Sequence, residues 1–171
     1  MKSLNNKRFI WFGVPFIFIV GSLLHFAYEL FPNVIVSLFS STNESVWEHT
    51  KLLFVATVLW YWLYLLFTPN SDKLSKQKWF TACVASVVSG IILIPLLFYF
   101  YTGAFGIESL LIDIFIFFLS ILLAQLIAMH FYKYSKGIKP IWSINILLLI
   151  FAIYILFTFL PPSLPIFTDF S

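Results

Sequence analysis

Two glutamates, a histidine, an asparagine and a lysine fall within the stretch Ser41 to Lys51, STNESVWEHTK, of a chain that is only 10% charged. Read as the start of a helix, Ser41, Thr42 and Asn43 offer oxygens to cap its first amides, and Glu44 places negative charge at the positive end of its dipole. Ser45 and His49 then share one face at i,i+4, and Glu44 and Glu48 share the neighbouring one. From Leu52 to Phe67 the chain is almost wholly apolar. The polar turn is therefore the rim of a buried helix, where charged groups are costly and usually serve a site.

Other groups of the same chemistry lie far off in sequence. LHFAYE places His25 and Glu29 one turn apart, and Glu108 and Asp113 open a later apolar stretch. With helix ends near Phe31, Asn43 and Ile107, the residues His25, His49 and Asp113 each lie six positions in. At 1.5 Å of rise per residue all three sit about 9 Å below the helix ends. Glu29, Ser45 and Glu108 form a shallower tier.

Two imidazoles and carboxylates at one depth are the ligand types of zinc or another divalent transition metal, which makes His25, His49, Asp113 and Glu29 the expected ligands. Glu48 or Glu44 would accept a proton from metal-bound water, with Ser45 beside them. The local order differs from the H-E-x-x-H helix of zinc peptidases. Two other readings use the same residues. His25 with Glu29 and His49 with Ser45 can be hydrogen-bonded pairs that only join two helices, or the acids can line an ion- or solute-conducting vestibule.

The elements that position these groups follow from composition. The chain of 171 residues is 61% hydrophobic with 22 phenylalanines, and its mean hydropathy is +1.00. Those values exclude an ordinary water-soluble domain. About 20 apolar residues cross a bilayer, and five stretches qualify, at 9–31, 45–67, 79–101, 108–132 and 141–160. The expectation is all-α: a single domain over residues 1–171, a compact bundle of five transmembrane helices whose partner is the lipid bilayer. The N-terminus has a basic head and an apolar run but no small-residue cleavage site, so it reads as a retained first helix.

Charge orients the bundle. Lys2, Lys7, Arg8, Lys73, Lys76, Lys78, Lys133, Lys136 and Lys139 all fall on one side of a five-span chain, and Lys51 alone falls on the other. The positive-inside rule places that side in the cytoplasm, with the N-terminus in and the C-terminus out. Trp11, Trp60, Trp62, Trp79 and Trp142 stand near the same ends, as an interfacial belt would. Six of the seven acids, all but Asp72, lie in the outer half. The net charge of +3 reports topology and gives no reason to expect nucleic-acid binding.

Remaining features read as framework. Pro15 and Gly21 allow the first span to loosen midway. The connection FPNVIVSLFSSTN lies along the outer surface as a partial lid, and SDKLSKQK is a polar cytoplasmic loop after Thr68-Pro69-Asn70. Ala82, Ser86 and Gly90 form a small-residue stripe for close helix packing, and the short TGAFG turn makes its flanking helices antiparallel neighbours. Cys83 is a buried thiol without a disulfide partner, and His130 is interfacial. Lys51 snorkels or pairs with Glu48 or Glu44. Asn43-Glu44-Ser45 matches a glycosylation sequon at a site too close to the membrane for use. PPSLP is a rigid extended exit. Gln125, Asn145 and His130 are the only deep polar groups on offer to a conduit.

Taken together, LHFAYE, SLFSSTNESVWEHTKLLF, YTGAFG with a following aspartate, and PPSLPIFTD resemble a family of small bacterial integral membrane proteins of unknown function with an N-E-S-x-W-E-H motif. The resemblance implies a multi-pass protein of the bacterial cytoplasmic membrane and no assigned activity. Ser45, His49 and Asp113 are also similar, in part, to the S-x3-H and aspartate of the membrane hydrolase superfamily of alkaline ceramidases and adiponectin receptors. That superfamily has seven spans and a late H-x3-H absent here. The functional expectation is a metal-dependent hydrolase or transferase acting on a lipid, small-molecule or extracytoplasmic substrate. Its alternatives are a transporter or ion-binding protein using the same acids, and a structural membrane protein without catalysis.

Overall fold

The structure, a computed structural model, describes residues 2–67 and 73–169. Six α-helices and one 3₁₀ turn follow in order: α1 (Lys2–Leu30), α2 (Val34–Ser37), α3 (Val46–Phe67), α4 (Lys73–Phe105), α5 (Leu110–Tyr134), α6 (Pro140–Phe159) and the turn Pro165–Phe167. No strand occurs among the described residues. Five helices are long and apolar enough to cross a membrane, over Lys7–Leu30, Val46–Leu66, Lys76–Phe105, Leu110–Tyr134 and Pro140–Phe159. These are the five expected spans, with ends shifted by a few residues. The Thr68-Pro69-Asn70 break lies outside the described residues. The polar connection after it is already helical from Lys73, because residues such as Leu, Lys and Gln favour a helix over a loop.

Large apolar side chains cover the outside, as with Leu66, Leu111 and Phe115. Small residues are drawn inside. Ala82 and Ser86 of α4 are fully buried, and a Cβ on Gly90 would run into Leu53 Cδ2. The expected small-residue stripe is thus the seam along which α4 meets α3. In its middle Gln125 of α5 donates to Ser86 Oγ at 2.9 Å and accepts from the Tyr61 hydroxyl at 3.2 Å. That closed exchange ties α3, α4 and α5 together where a lone amide would be expensive. Asn145 and His130 are exposed on the bundle surface, apart from Gln125.

The tryptophans divide. Trp11, Trp62 and Trp142 are exposed as an interfacial belt requires. Trp79, by contrast, is buried, stacks on Tyr64 at 3.8 Å between ring centroids and donates from Nε1 to the Tyr61 carbonyl at 3.0 Å. Trp60 stacks on Phe9 at 4.1 Å and donates to its carbonyl. Both belong to the core that joins α1, α3 and α4. Cys83 is a buried free thiol, as expected.

At the opposite, acidic end the connection from α1 to α3 folds back on α1. Ser40 is buried, accepts from the Tyr28 amide at 3.0 Å and donates to the Leu24 carbonyl at 2.5 Å. One hydroxyl thereby engages both groups of a single i to i−4 pair of α1. Asn33 caps α2 through the Val36 amide.

Candidate functional site

The position of Glu44 follows from where α3 begins. The helix starts at Val46, later than the polar run Ser41–Asn43 leads one to expect. Ser45 is the residue whose Oγ accepts from an amide of the first turn, that of Glu48, at 3.3 Å. The Asn43 side chain accepts from the Ser45 amide. Glu44 therefore stands just before the helix, and its side chain reaches the two histidines.

His25, Glu44 and His49 converge, each offering one ligand atom within 4.8 Å of the others. His25 Nε2 lies 3.5 Å from Glu44 Oε1, and His49 Nε2 lies 3.7 Å from Glu44 Oε2. The imidazole rings are 5.2 Å apart. Side-chain exposures of 22% for His25, 32% for His49 and 39% for Glu44 make the cluster reachable yet partly screened from solvent.

Each ring has a hydrogen-bond partner on its far side. His49 Nδ1 lies 2.8 Å from the Ser45 carbonyl, which can only accept, so Nδ1 carries the proton. Ser41 Oγ is 3.1 Å from the His25 carbonyl and 3.3 Å from His25 Nδ1. With its single proton on the carbonyl, it accepts from Nδ1–H of His25. In the neutral rings both Nε2 lone pairs then face the Glu44 carboxylate. Facing lone pairs repel unless a proton or a cation lies between them.

The two arrangements call for different separations. Good N–H···O bonds cluster at about 2.7–3.2 Å, shorter than either contact here. Ligands held about 2.0–2.1 Å from a tetrahedral ion sit roughly 3.3–3.5 Å from each other, close to the observed 3.5 and 3.7 Å. With Nδ1 occupied by a carbonyl or hydroxyl, each ring also carries the orienting partner usual for a metal-bound histidine.

Two cavities meet at this cluster. One, of about 300 Å³, is lined by Glu44, His49, Glu108, Ser109 and Asp113, with Phe98 and Ile94 below. The other, of about 390 Å³, runs between α1 and α5 past Gly21, His25, Phe26, Ile114 and Phe117 and shares Glu44, His49 and Asp113 with the first. Asp113 lies in the first turn of α5, held by the Tyr101 hydroxyl at 2.6 Å. Gly21, in the wall of the second cavity, lets Phe117 pack close to α1, since a Cβ there would meet Phe117 Cζ at 2.7 Å.

The other expected site residues stand elsewhere. Glu48 is 2% exposed and bonds Lys51 Nζ at 2.6 Å, and Lys51 itself is fully buried. Lys51 also donates to the Ser37 carbonyl at 2.9 Å and to Thr158 Oγ1 at 3.0 Å, while Glu48 accepts from the Thr42 amide at 2.8 Å. So Lys51 pairs with Glu48 inward and does not snorkel. Ser45 is buried as the cap of α3, and Glu29 is exposed at the end of α1. None of Glu48, Ser45 or Glu29 belongs to the three-residue cluster or lines either cavity, and Asp113, expected as a ligand, lines both cavities but stands outside the cluster.

Three supporting groups escape a reading by residue type. Ser41 orients His25, and Tyr101 holds Asp113 across the short turn after α4. The Glu44 amide donates to Asp169 Oδ1 at 3.2 Å, brought there by the tail, whose Phe167 packs on Trp47 with ring centroids 5.0 Å apart. The adjacency of Tyr101 to the TGAFG turn was a usable signal, whereas the Asp169 contact joins residues 125 positions apart.

Nothing among curated proteins or solved structures matches the chain, so the site has to be understood from its own atoms. What does match runs the full length, from α1 through the tail that touches Glu44, and by it the chain belongs, over residues 1–171, to the family of unknown function DUF6512.

Proposed function

We propose that His25, His49 and Glu44 form a divalent transition-metal centre, zinc or a neighbour, and that this centre serves hydrolytic or transfer chemistry on a lipid-borne or extracytoplasmic substrate. The observation that carries the reading is the pair of Nε2 atoms facing one carboxylate, at separations longer than a good hydrogen bond and close to those between ligands of one ion. The donor set of two neutral imidazoles and one carboxylate suits zinc better than calcium. Three protein ligands leave a position for water, whose pKa such an ion brings to about 7.

Asp113, which lines both cavities, is the carboxylate placed to accept a proton there, with Tyr101 fixing its orientation. Glu48 is committed to Lys51 and serves the framework. Nine of the ten basic residues lie toward the other end of the bundle, so the positive-inside rule turns the site outward, with the N-terminus in and the C-terminus out. The conduit reading has less support, because Gln125 is closed within its hydrogen bonds while Asn145 and His130 are exposed.

Elemental analysis of protein purified in detergent without chelator tests the centre. Near one equivalent of a transition metal is expected in the wild type, with large losses in His25→Ala and His49→Ala. Less than about a tenth of an equivalent in a folded wild type would sink the proposal, since a site with structural-zinc affinity keeps its ion through purification.

A further inference from the structure

The two cavities differ in chemistry although they share a wall. The one between α4 and α5 presents three carboxylates, Glu44, Glu108 and Asp113, and the Ser109 position. The one between α1 and α5 is almost wholly apolar below His25 and Ser22, and its lips, Phe26, Leu110 and Ile114, are exposed on the surface that faces lipid. No lysine or arginine lines either cavity. The Lys51 ammonium is fully buried and paired with Glu48, and lines neither cavity. An anionic head would meet like charge here. Even with a divalent ion on the histidines, three carboxylates leave the site net negative, in a medium where charges interact more strongly than in water.

Resting on the reading that the histidine cluster is a functional centre, we infer that its ligand is an amphiphile with one apolar chain and a protonated amine in its head. The chain lies between α1 and α5, having entered sideways past Phe26 and Ile114. The ammonium stands beside Glu108 and Asp113, donating to their oxygens. The part of the molecule between chain and amine is thereby carried past the Nε2 atoms of His25 and His49.

Native mass spectrometry of the full chain in a neutral detergent, with hexadecylamine, hexadecyl phosphate or hexadecanol added, reads this directly. The amine should bind at least about tenfold more tightly than the phosphate, which corresponds to one favourable charge contact. Glu108→Gln with Asp113→Asn should abolish that preference, while Asn still accepts from Tyr101 and keeps the wall in place. Ile114→Trp, at an exposed lip, should weaken all three probes by blocking the chain. Equal binding of amine and phosphate, or an amine preference that survives the double substitution, would overturn the inference. Metal content measured on the same samples separates the two ideas. A metal-bearing protein without amine preference overturns this inference alone, and a metal-free protein with the preference overturns the metal centre alone.

Discussion

Lys51 and Glu48 illustrate how much a single buried charge depends on its partner. The ammonium is fully buried and satisfied by Glu48, the Ser37 carbonyl and Thr158, which in turn contacts Glu48 Oε1 at 3.4 Å. Each group of the set has a donor or acceptor opposite it, the condition under which a buried ion pair is tolerated. Lys51→Met leaves Glu48 charged with only Thr42 and Thr158 as partners. The expected loss is about 3–5 kcal/mol of stability, read as a lower midpoint of thermal unfolding in detergent. Adding Glu48→Gln removes the orphaned charge, so the double variant should recover part of that loss. If Lys51→Met melts with the wild type, the pair is not holding the structure. Ser41 acts at the same scale but on the site. Ser41→Ala frees the His25 ring without touching a ligand atom, and should weaken metal retention by roughly 10- to 100-fold, against near-complete loss in His25→Ala.

Elements decide which of several similar residues reaches the site. Glu44 and Glu48 are equivalent by type and one turn apart by number, and only the start of α3 separates them. Because Ser45 rather than Ser41–Asn43 caps the helix, Glu44 stays in the connection and turns to the histidines, while Glu48 falls inside the first turn and meets Lys51. The spans were legible because length and apolarity alone decide whether a helix can cross a bilayer. Depth matching likewise grouped His25 with His49 and put Asp113 nearby, since rise per residue is fixed in a helix. Packing partners were not legible. Trp60 and Trp79 read as interfacial by position and are core by contact, and the Asp169 contact to Glu44 has no local pattern. The seam between α3 and α4 gives a test at this scale. Gly90→Val adds atoms where even a Cβ would run into Leu53 Cδ2, and should cost about 1–3 kcal/mol through overpacking. Leu53→Ala in the same chain should restore much of it, and the absence of any rescue would show that the seam does not pass through that contact.

For the whole molecule, which end faces out decides what the site can meet. α5 carries Asp113 in its first turn and Lys133 in its last, so one helix joins the acidic end to the basic one. Gly103 and Lys136 flank that helix at exposed positions, and a Cβ at Gly103 meets nothing within 4 Å. In a Cys83→Ala background, a membrane-impermeant maleimide added to intact cells should label Gly103→Cys and spare Lys136→Cys until the cells are permeabilised. This is what the positive-inside rule requires of a chain whose basic residues gather in alternate connections. Label at both positions in intact cells would deny that α5 crosses the membrane at all. The reverse pattern would keep the five spans and turn the histidine cluster to the cytoplasm, so that an amphiphile would have to come from the inner leaflet. The outward result instead gives the cavity between α1 and α5 access to the outer leaflet, at the depth where Phe26 and Ile114 part.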